Sequence, residues 1–404
     1  MGARSVMNWR TYVPLLTLVN TLLFGAAALA QSPELKLSYS LSKELLKRGS
    51  YRESLEFAEK ALGQSEKELG PKDLLTADIL FVLAEVHRLQ GGYAAAQPAY
   101  ERSLKIREST LGREHPATAE SLNGLGRLLK DQGDYTRAGL FLEKALAIRV
   151  RTLGPADPRV AGTLSDTADL LRSQGDYAQA EELYKRSISI RELALGRNHS
   201  EVAKSLGGLA VLFYMQKRYG EAEKLLQRSL SIRRARLAPD HPDVMRSLHN
   251  LGLTLQAQDK DEGAERLFLD AQDFMRRNVS SEHPHLALVL NNLGRLYLLQ
   301  RRYRDAEPYL EESVAILERS QGTGHPLLVY PLNNLAHCRT AQERFRDAER
   351  LYRRALSLQH ANFKGAHPNT VRTLKNYAVL LRRTGRNDEA LNLEVRARRI
   401  ESGG

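Results

Sequence analysis

The sequence predicts an all-α chain built as an α-solenoid, and three observations on one 42-residue clock carry that prediction. The dipeptide His-Pro stands at 115–116, 241–242, 283–284, 325–326 and 367–368, with Asp157-Pro158 and His199-Ser200 in the same register. An aromatic recurs at Tyr51, Tyr93, Tyr135, Tyr177, Tyr219, Tyr303 and Phe345, and Ala96, Ala138, Ala180, Ala222, Ala306 and Ala348 follow all but the first. A small residue recurs at Ala84, Gly126, Ala168, Ala210, Gly252, Gly294, Ala336 and Ala378, where it lets neighbouring helix axes approach. A period of this size, kept without insertion or deletion, belongs to stacked helical units rather than to a globular enzyme domain.

The elements follow in order. Arg4 and Arg10 precede an uncharged, mostly apolar run from Val13 to Leu29, and Ala28-Leu29-Ala30 fits a small-residue cleavage site. Residues 1–30 are therefore expected to be a signal peptide that exports the chain to a periplasmic or secreted location. An uncleaved anchor is the alternative, because the run nears the ~20 residues of a membrane span. Residues 31–404 are expected to form about nine units of 42 residues. In the unit at 157–199, Asp157 suits an N-cap and Pro158 the first turn. Leu164, Thr167, Ala168 and Leu171 then recur at helical spacing, and Gly175 ends the helix. Asp176-Tyr177 opens a second helix with the stripe Ala180, Leu183, Tyr184 and Ile188, and Leu195-Gly196 leads through His199 into the next unit. Asp261 and Asn387 break the aromatic series, and Asp261 with Gly263 marks the sixth unit as a weak one.

The stretch from His283 to Leu317 shows the pattern in full: His283-Pro284, then Leu290-Asn291-Asn292-Leu293-Gly294, then Arg302-Tyr303-Arg304-Asp305-Ala306-Glu307-Pro308-Tyr309, then Ser313-Val314-Ala315-Ile316. These residues resemble the tetratricopeptide repeat proteins, specifically the 42-residue kinesin-light-chain-like type. The resemblance implies a right-handed superhelix of helix-turn-helix units with the first helices facing a concave groove. It also implies a non-enzymatic scaffold that binds a peptide segment of a partner protein in that groove.

Composition narrows the field. The formal charge is +12, or +10 without Arg4 and Arg10, with arginine concentrated late at Arg301-Arg302, Arg353-Arg354, Arg382-Arg383, Arg396, Arg398 and Arg399. Such a balance favours acidic partners and leaves open a binder of anionic envelope polymer or glycan. No nucleic-acid motif of interleaved basic and aromatic residues stands out, and no stable membrane span is expected after signal cleavage. The single cysteine, Cys338, falls in a column otherwise mostly leucine and reads as a small core residue. His115, His199, His241, His283, His325 and His367 share one repeat position, which places them on successive loops, too far apart for a shared metal. There is no phosphate-cradling glycine loop, G-x-S-x-G or H-E-x-x-H, so neither catalysis nor a cofactor is expected.

Two positions before the small residue the units read Val82, Gly124, Asp166, Gly208, Asn250, Asn292, Asn334 and Asn376. An asparagine amide both donates and accepts, so the row Asn250, Asn292, Asn334 and Asn376 suits the backbone of an extended peptide. In the family that this chain resembles, asparagines at this place grip ligand peptides. Arg246, Arg295, Arg372 and Lys375 are expected on the same face, offering charge-assisted bonds to carboxylates. Support for packing between first helices is the competing role of the asparagines. Asp78, Glu85, Glu120, Asp166 and Asp169 make the N-terminal half more acidic, which predicts an orienting effect on an extended ligand.

Overall fold

Most of the units begin where an imidazole or a carboxylate accepts a hydrogen bond from the N–H two residues on. Nδ1 of His115, His199, His241, His283 and His325 accepts the backbone N–H two residues on, at 3.1, 3.2, 3.0, 3.2 and 3.3 Å. Asp157 does the same through Oδ1 at 2.8 Å, which explains why Asp and His exchange at this position. In all of these six but the His199 unit a proline follows, where its missing N–H has no intrahelical partner. The computed structural model describes residues 31–238, 241–278, 281–362 and 368–402. The signal segment expected at 1–30 and the helix-start residue His367 lie outside them.

The described residues form α-helices and one 3₁₀ turn, in tandem pairs. The pairs are α1 (Pro33–Arg48) with α2 (Tyr51–Glu68), α3 (Leu74–Leu89) with α4 (Tyr93–Leu111), α5 (Pro116–Gln132) with α6 (Tyr135–Leu153), and α7 (Pro158–Gln174) with α8 (Tyr177–Leu195). Then come α9 (Ser200–Met215) with α10 (Tyr219–Arg236), α11 (Pro242–Gln256) with α12 (Asp261–Asn278), and α13 (Pro284–Leu299) with α14 (Tyr303–Gln321). The 3₁₀ turn Pro326–Leu328 leads into α15 (Val329–Ala341) with α16 (Phe345–Asn362), and α17 (Pro368–Arg383) pairs with α18 (Asn387–Glu401). The chain divides into two compact units, Met1–Leu212 and Phe213–Gly404. The sixth repeat is not curtailed by Asp261 and Gly263, since α12 runs 18 residues. No helix among the described residues is long and apolar enough to cross a membrane.

Within each unit the first helices touch one another in series, α1–α3–α5–α7 in one and α11–α13–α15–α17 in the other, whereas second helices touch only first helices. The first helices therefore line the more closely spaced, inner face. Small residues permit the intimate packing beneath it: a Cβ built at Gly294 would stand 2.5 Å from Leu310 Cγ, and one at Gly208 2.5 Å from Tyr184 Cε1. Cys338 is buried in the leucine column, with its thiol 3.2 Å from the Tyr303 carbonyl.

A buried arginine staples successive repeats. Arg107, Arg149, Arg191 and Arg233 each donate through Nη1 to the carbonyl ten residues on, at 2.9, 3.1, 2.9 and 3.0 Å. The same nitrogen reaches the hydroxyl fourteen residues on, in Ser121, Thr163, Ser205 and Ser247, at 2.9, 2.7, 2.5 and 2.5 Å. Further along, the column holds Met275, Leu317 and Gln359, and the hydroxyl position holds Val289, Pro331 and Thr373. Polar pairs with polar and apolar with apolar, since Gln359 Nε2 meets Thr373 Oγ1 at 3.3 Å.

The ninth repeat departs from the others on its outward side. Tyr352 stacks on Tyr377 of the following repeat, with ring centroids 5.5 Å apart, and Leu356 packs against the core of Val371 and Leu374. Their counterparts are Glu394 and Arg398, and Glu394 holds Arg382 at 2.8 Å.

Candidate functional site: the inner face of the second unit

The expected site residues all lie on first helices of the second unit: Arg246 and Asn250 on α11, Asn292 and Arg295 on α13, Asn334 on α15, and Arg372, Lys375 and Asn376 on α17. The asparagines form a ladder between neighbouring helices. Asn334 Nδ2 donates to Asn291 Oδ1 at 2.8 Å, and Asn376 Nδ2 to Asn333 Oδ1 at 3.4 Å. Asn292 Nδ2 lies 2.7 Å from His249 Nδ1, which acts as acceptor because burial above all, then the charge of Arg295, lowers the imidazole pKa to about 4. Every rung spans 43 residues, one repeat and one position, as does the bond from Asn123 Nδ2 to Asp166 Oδ2 in the first unit at 2.6 Å. Asn292 and Asn334 are buried, whereas Asn250 and Asn376 are half-buried. One N–H and the carbonyl of each donating amide, in Asn292, Asn334 and Asn376, remain outside the ladder bond.

The cationic residues divide by partner. Arg246 is exposed and pairs with Asp243 at 2.7 Å, and Lys375 is exposed and pairs with Glu401 at 2.7 Å. Arg295 is half-buried and donates to the neutral amide oxygen of Gln256. Its guanidinium pKa is lowered, first by burial and also by the charge of Arg372. Neither Arg295 nor Arg372 has an ion pair among the described residues. Two half-buried imidazoles lie on α11 and α13: His249 near Arg295, and His285, whose pKa burial and then His283, His249 and Arg246 bring down to about 4.

The sequence explains this imbalance. Helices α11, α13, α15 and α17 carry one carboxylate between them, Asp243, whereas α1, α3, α5 and α7 carry two each. In the first unit, accordingly, inner-face guanidiniums are met within the chain. Arg127 contacts Glu85 at 2.5 Å and Arg88 contacts Asp131 at 2.8 Å, while from the second helix α4 the buried Arg107 reaches Asp78 at 2.7 Å and Glu120 at 3.0 Å. Tyr100 also donates to Glu85. Burial pushes the Glu85 carboxyl up, but Arg127 and Arg88 outweigh it and hold the group below its ordinary value. Reading residues one by one missed this closed network and the two imidazoles. A helix-by-helix count of carboxylates would have found the contrast.

The late arginines are largely engaged as well. Arg302, Arg353, Arg354, Arg382 and Arg383 hold Asp305, Glu349, Glu318, Glu394 and Glu343 at 2.8, 2.7, 2.5, 2.8 and 3.0 Å.

The Tetratricopeptide repeat family model matches residues 44–109, 83–149, 129–193, 159–235, 201–277, 243–319 and 327–400. The chain belongs to the tetratricopeptide repeat family. It is similar, at 26% identity over 52% of this chain and 99% of that one and a TM-score of 0.46, to a Podosopora anserina protein described as a kinesin light chain with nearly identical TPR-like repeats. The apo quorum sensor NprR from B. thuringiensis is similar at 17% identity, over 86% of this chain and 94% of that one, with a TM-score of 0.59. A Pyrococcus horikoshii signal-transduction ATPase with a tetratricopeptide repeat sensor is 13% identical, over 91% and 53% of the two chains, with a TM-score of 0.60. No curated protein matches. Tetratricopeptide repeat arrays are generally non-catalytic, and the repeats mark this all-α array as a protein-interaction scaffold.

Proposed function

We propose that the inner face of the second unit binds an extended, carboxylate-bearing segment of a partner protein. One observation carries this reading: the first helices α11, α13 and α17 present Arg246, Arg295, Arg372 and Lys375, the first helices of this unit carry the single carboxylate Asp243, and half-buried Arg295 and exposed Arg372 have no ion pair among the described residues. A half-buried guanidinium without a counter-charge raises the energy of the free protein, and a ligand carboxylate would relieve it. In this reading Asn250, Asn292, Asn334 and Asn376 form the floor, the ladder bonds of the last three aiming their remaining N–H and carbonyl groups at the peptide backbone. Residues 1–30 act as an export signal, and the partner is met in the envelope or outside the cell. N-terminal sequencing of the protein from the periplasm or culture medium tests that part: Gln31 is expected first.

The binding test is fluorescence polarisation with a labelled Asp/Glu-rich peptide and its Asn/Gln counterpart. The acidic peptide is expected to bind at least tenfold more tightly, with the advantage lost in Arg295→Gln/Arg372→Gln. A variant with all four asparagines changed to alanine is expected to weaken both peptides alike. Equal affinity of wild type and the double arginine variant for the acidic peptide would overturn the assignment.

A further inference from the structure

Away from the inner face, the turns inside the seventh and eighth repeats carry a basic-aromatic-basic triplet, Arg302-Tyr303-Arg304 and Arg344-Phe345-Arg346. The flanking repeats have Lys260-Asp261-Glu262 and Arg386-Asn387-Asp388 there, so the motif is confined to two neighbours. The arginines of each triplet differ in role. The first is spent within the chain: Arg302 holds Asp305 at 2.8 Å, and Arg344 holds Glu307 at 2.8 Å and Asp347 at 3.0 Å. The second, Arg304 or Arg346, is exposed and has no ion pair or hydrogen bond among the described residues. Arg301 is likewise unpaired and exposed, at the turn tip with φ 60°, a position that glycine fills at Gly133 and Gly175.

Each unpaired arginine lines an open depression. One of about 770 Å³ is walled by Arg301, Arg304, Arg344 and Gln342, and one of about 550 Å³ by Arg346, Arg350 and Arg353. The carboxylates at their margins are already taken. Asp305 and Glu307 hold arginines as above, Asp347 holds Arg350 at 2.5 Å, and Glu349 holds Arg353 at 2.7 Å. The result is a row of two cationic recesses, one per repeat.

We propose that this edge binds a flexible phosphate polymer, which runs through both recesses with Arg301, Arg304 and Arg346 as its contacts. Guanidinium forks match phosphate oxygens in pairs. Repetition at the 42-residue spacing matches a chain of charges rather than one small ion, and recessed arginines suit a thin polymer better than a flat bilayer. The site is independent of the inner-face reading.

The test is binding of labelled inorganic polyphosphate to the full chain, across a salt series. Arg301→Gln/Arg304→Gln/Arg346→Gln is expected to weaken binding at least tenfold and to lower the log–log salt slope by about 2, taking ~0.7 per lost contact as for a flexible single strand. The control Arg396→Gln/Arg398→Gln/Arg399→Gln removes equal charge and is expected to bind like wild type. Circular dichroism and melting verify that all variants fold. Equal losses in the local and control triples would show only diffuse net charge and overturn the site. Competition by orthophosphate at equal phosphate concentration, or tighter binding to anionic vesicles with the same dependence on the three arginines, would each overturn the polymer assignment.

Discussion

Replacing Arg191 tests how neighbouring repeats are held together. The side chain is 2% exposed and donates to the Glu201 carbonyl at 2.9 Å, to Ser205 Oγ at 2.5 Å and to the Glu201 carboxylate at 2.6 Å. In Arg191→Ala the stem leaves a void worth about 2 kcal/mol. The carbonyl and hydroxyl lose a buried donor at a further ~1–3 kcal/mol, so the total loss is about 3–5 kcal/mol. Ser165 and Ser187 retain their 2.8 Å bond to one another whatever happens at Ser205. The chain itself contains the apolar alternative, because Met275 stands in this column with Val289 in the hydroxyl position, and Met275 is 1% exposed. Arg191→Met/Ser205→Val copies that pair and is expected to lie within about 1.5 kcal/mol of wild type, since matched apolar groups replace a buried polar cluster at little cost. Urea unfolding followed by far-UV circular dichroism gives the totals, and hydrogen exchange in α8 and at the start of α9 localises the loss to that interface. A double variant no more stable than Arg191→Ala would refute the reasoning, because it would mean that the guanidinium bonds themselves, and not the filling of the column, hold the repeats.

Acid should loosen the repeat starts. Burial lowers the folded pKa of the caps His283 and His325, and that of His249 and His285 on first helices to about 4, so their contribution is full above the unfolded value of 6.5 and is lost as pH falls through the lowered values. Urea midpoints at neutral pH and near pH 4.5 measure it, and an unchanged midpoint would contradict the capping assignment. Gly208→Ala puts a methyl 2.5 Å from Tyr184 Cε1, so it should cost about 1–3 kcal/mol by thermal melting, and Tyr184→Leu in the same chain should recover most of it. Burial raises the Cys338 thiol pKa to about 12, so the native protein should resist thiol reagents at pH 8 and react fully in denaturant.

Most of the architecture was legible in the sequence, because each 42-residue marker has a local cause. His115 and Asp157 accept an N-terminal N–H, Gly175 adopts φ 88°, and Ala168 or Gly294 admits a neighbouring helix. These are short-range effects, and a periodic pattern reports them one repeat at a time. The candidate site residues stood out as a column, but their bonding did not. Whether Asn334 meets a ligand or a neighbour depends on Asn291, 43 residues earlier, and nothing in the single column Asn250–Asn376 shows that offset. The same applies to Glu85, whose partners Arg127 and Tyr100 come from two other helices.

The charged outward side of the ninth repeat bears on how copies of the protein behave when crowded. A head-to-tail contact between solenoids adds copies without limit, because the surface used by one molecule stays open on the next. Stacking another helix pair here would require drying the Arg382–Glu394 pair and Arg398, with no counterpart to Tyr352 or Leu356 to offset the cost. Glu394 and Arg398 therefore oppose the addition of a further copy through this face of the ninth repeat.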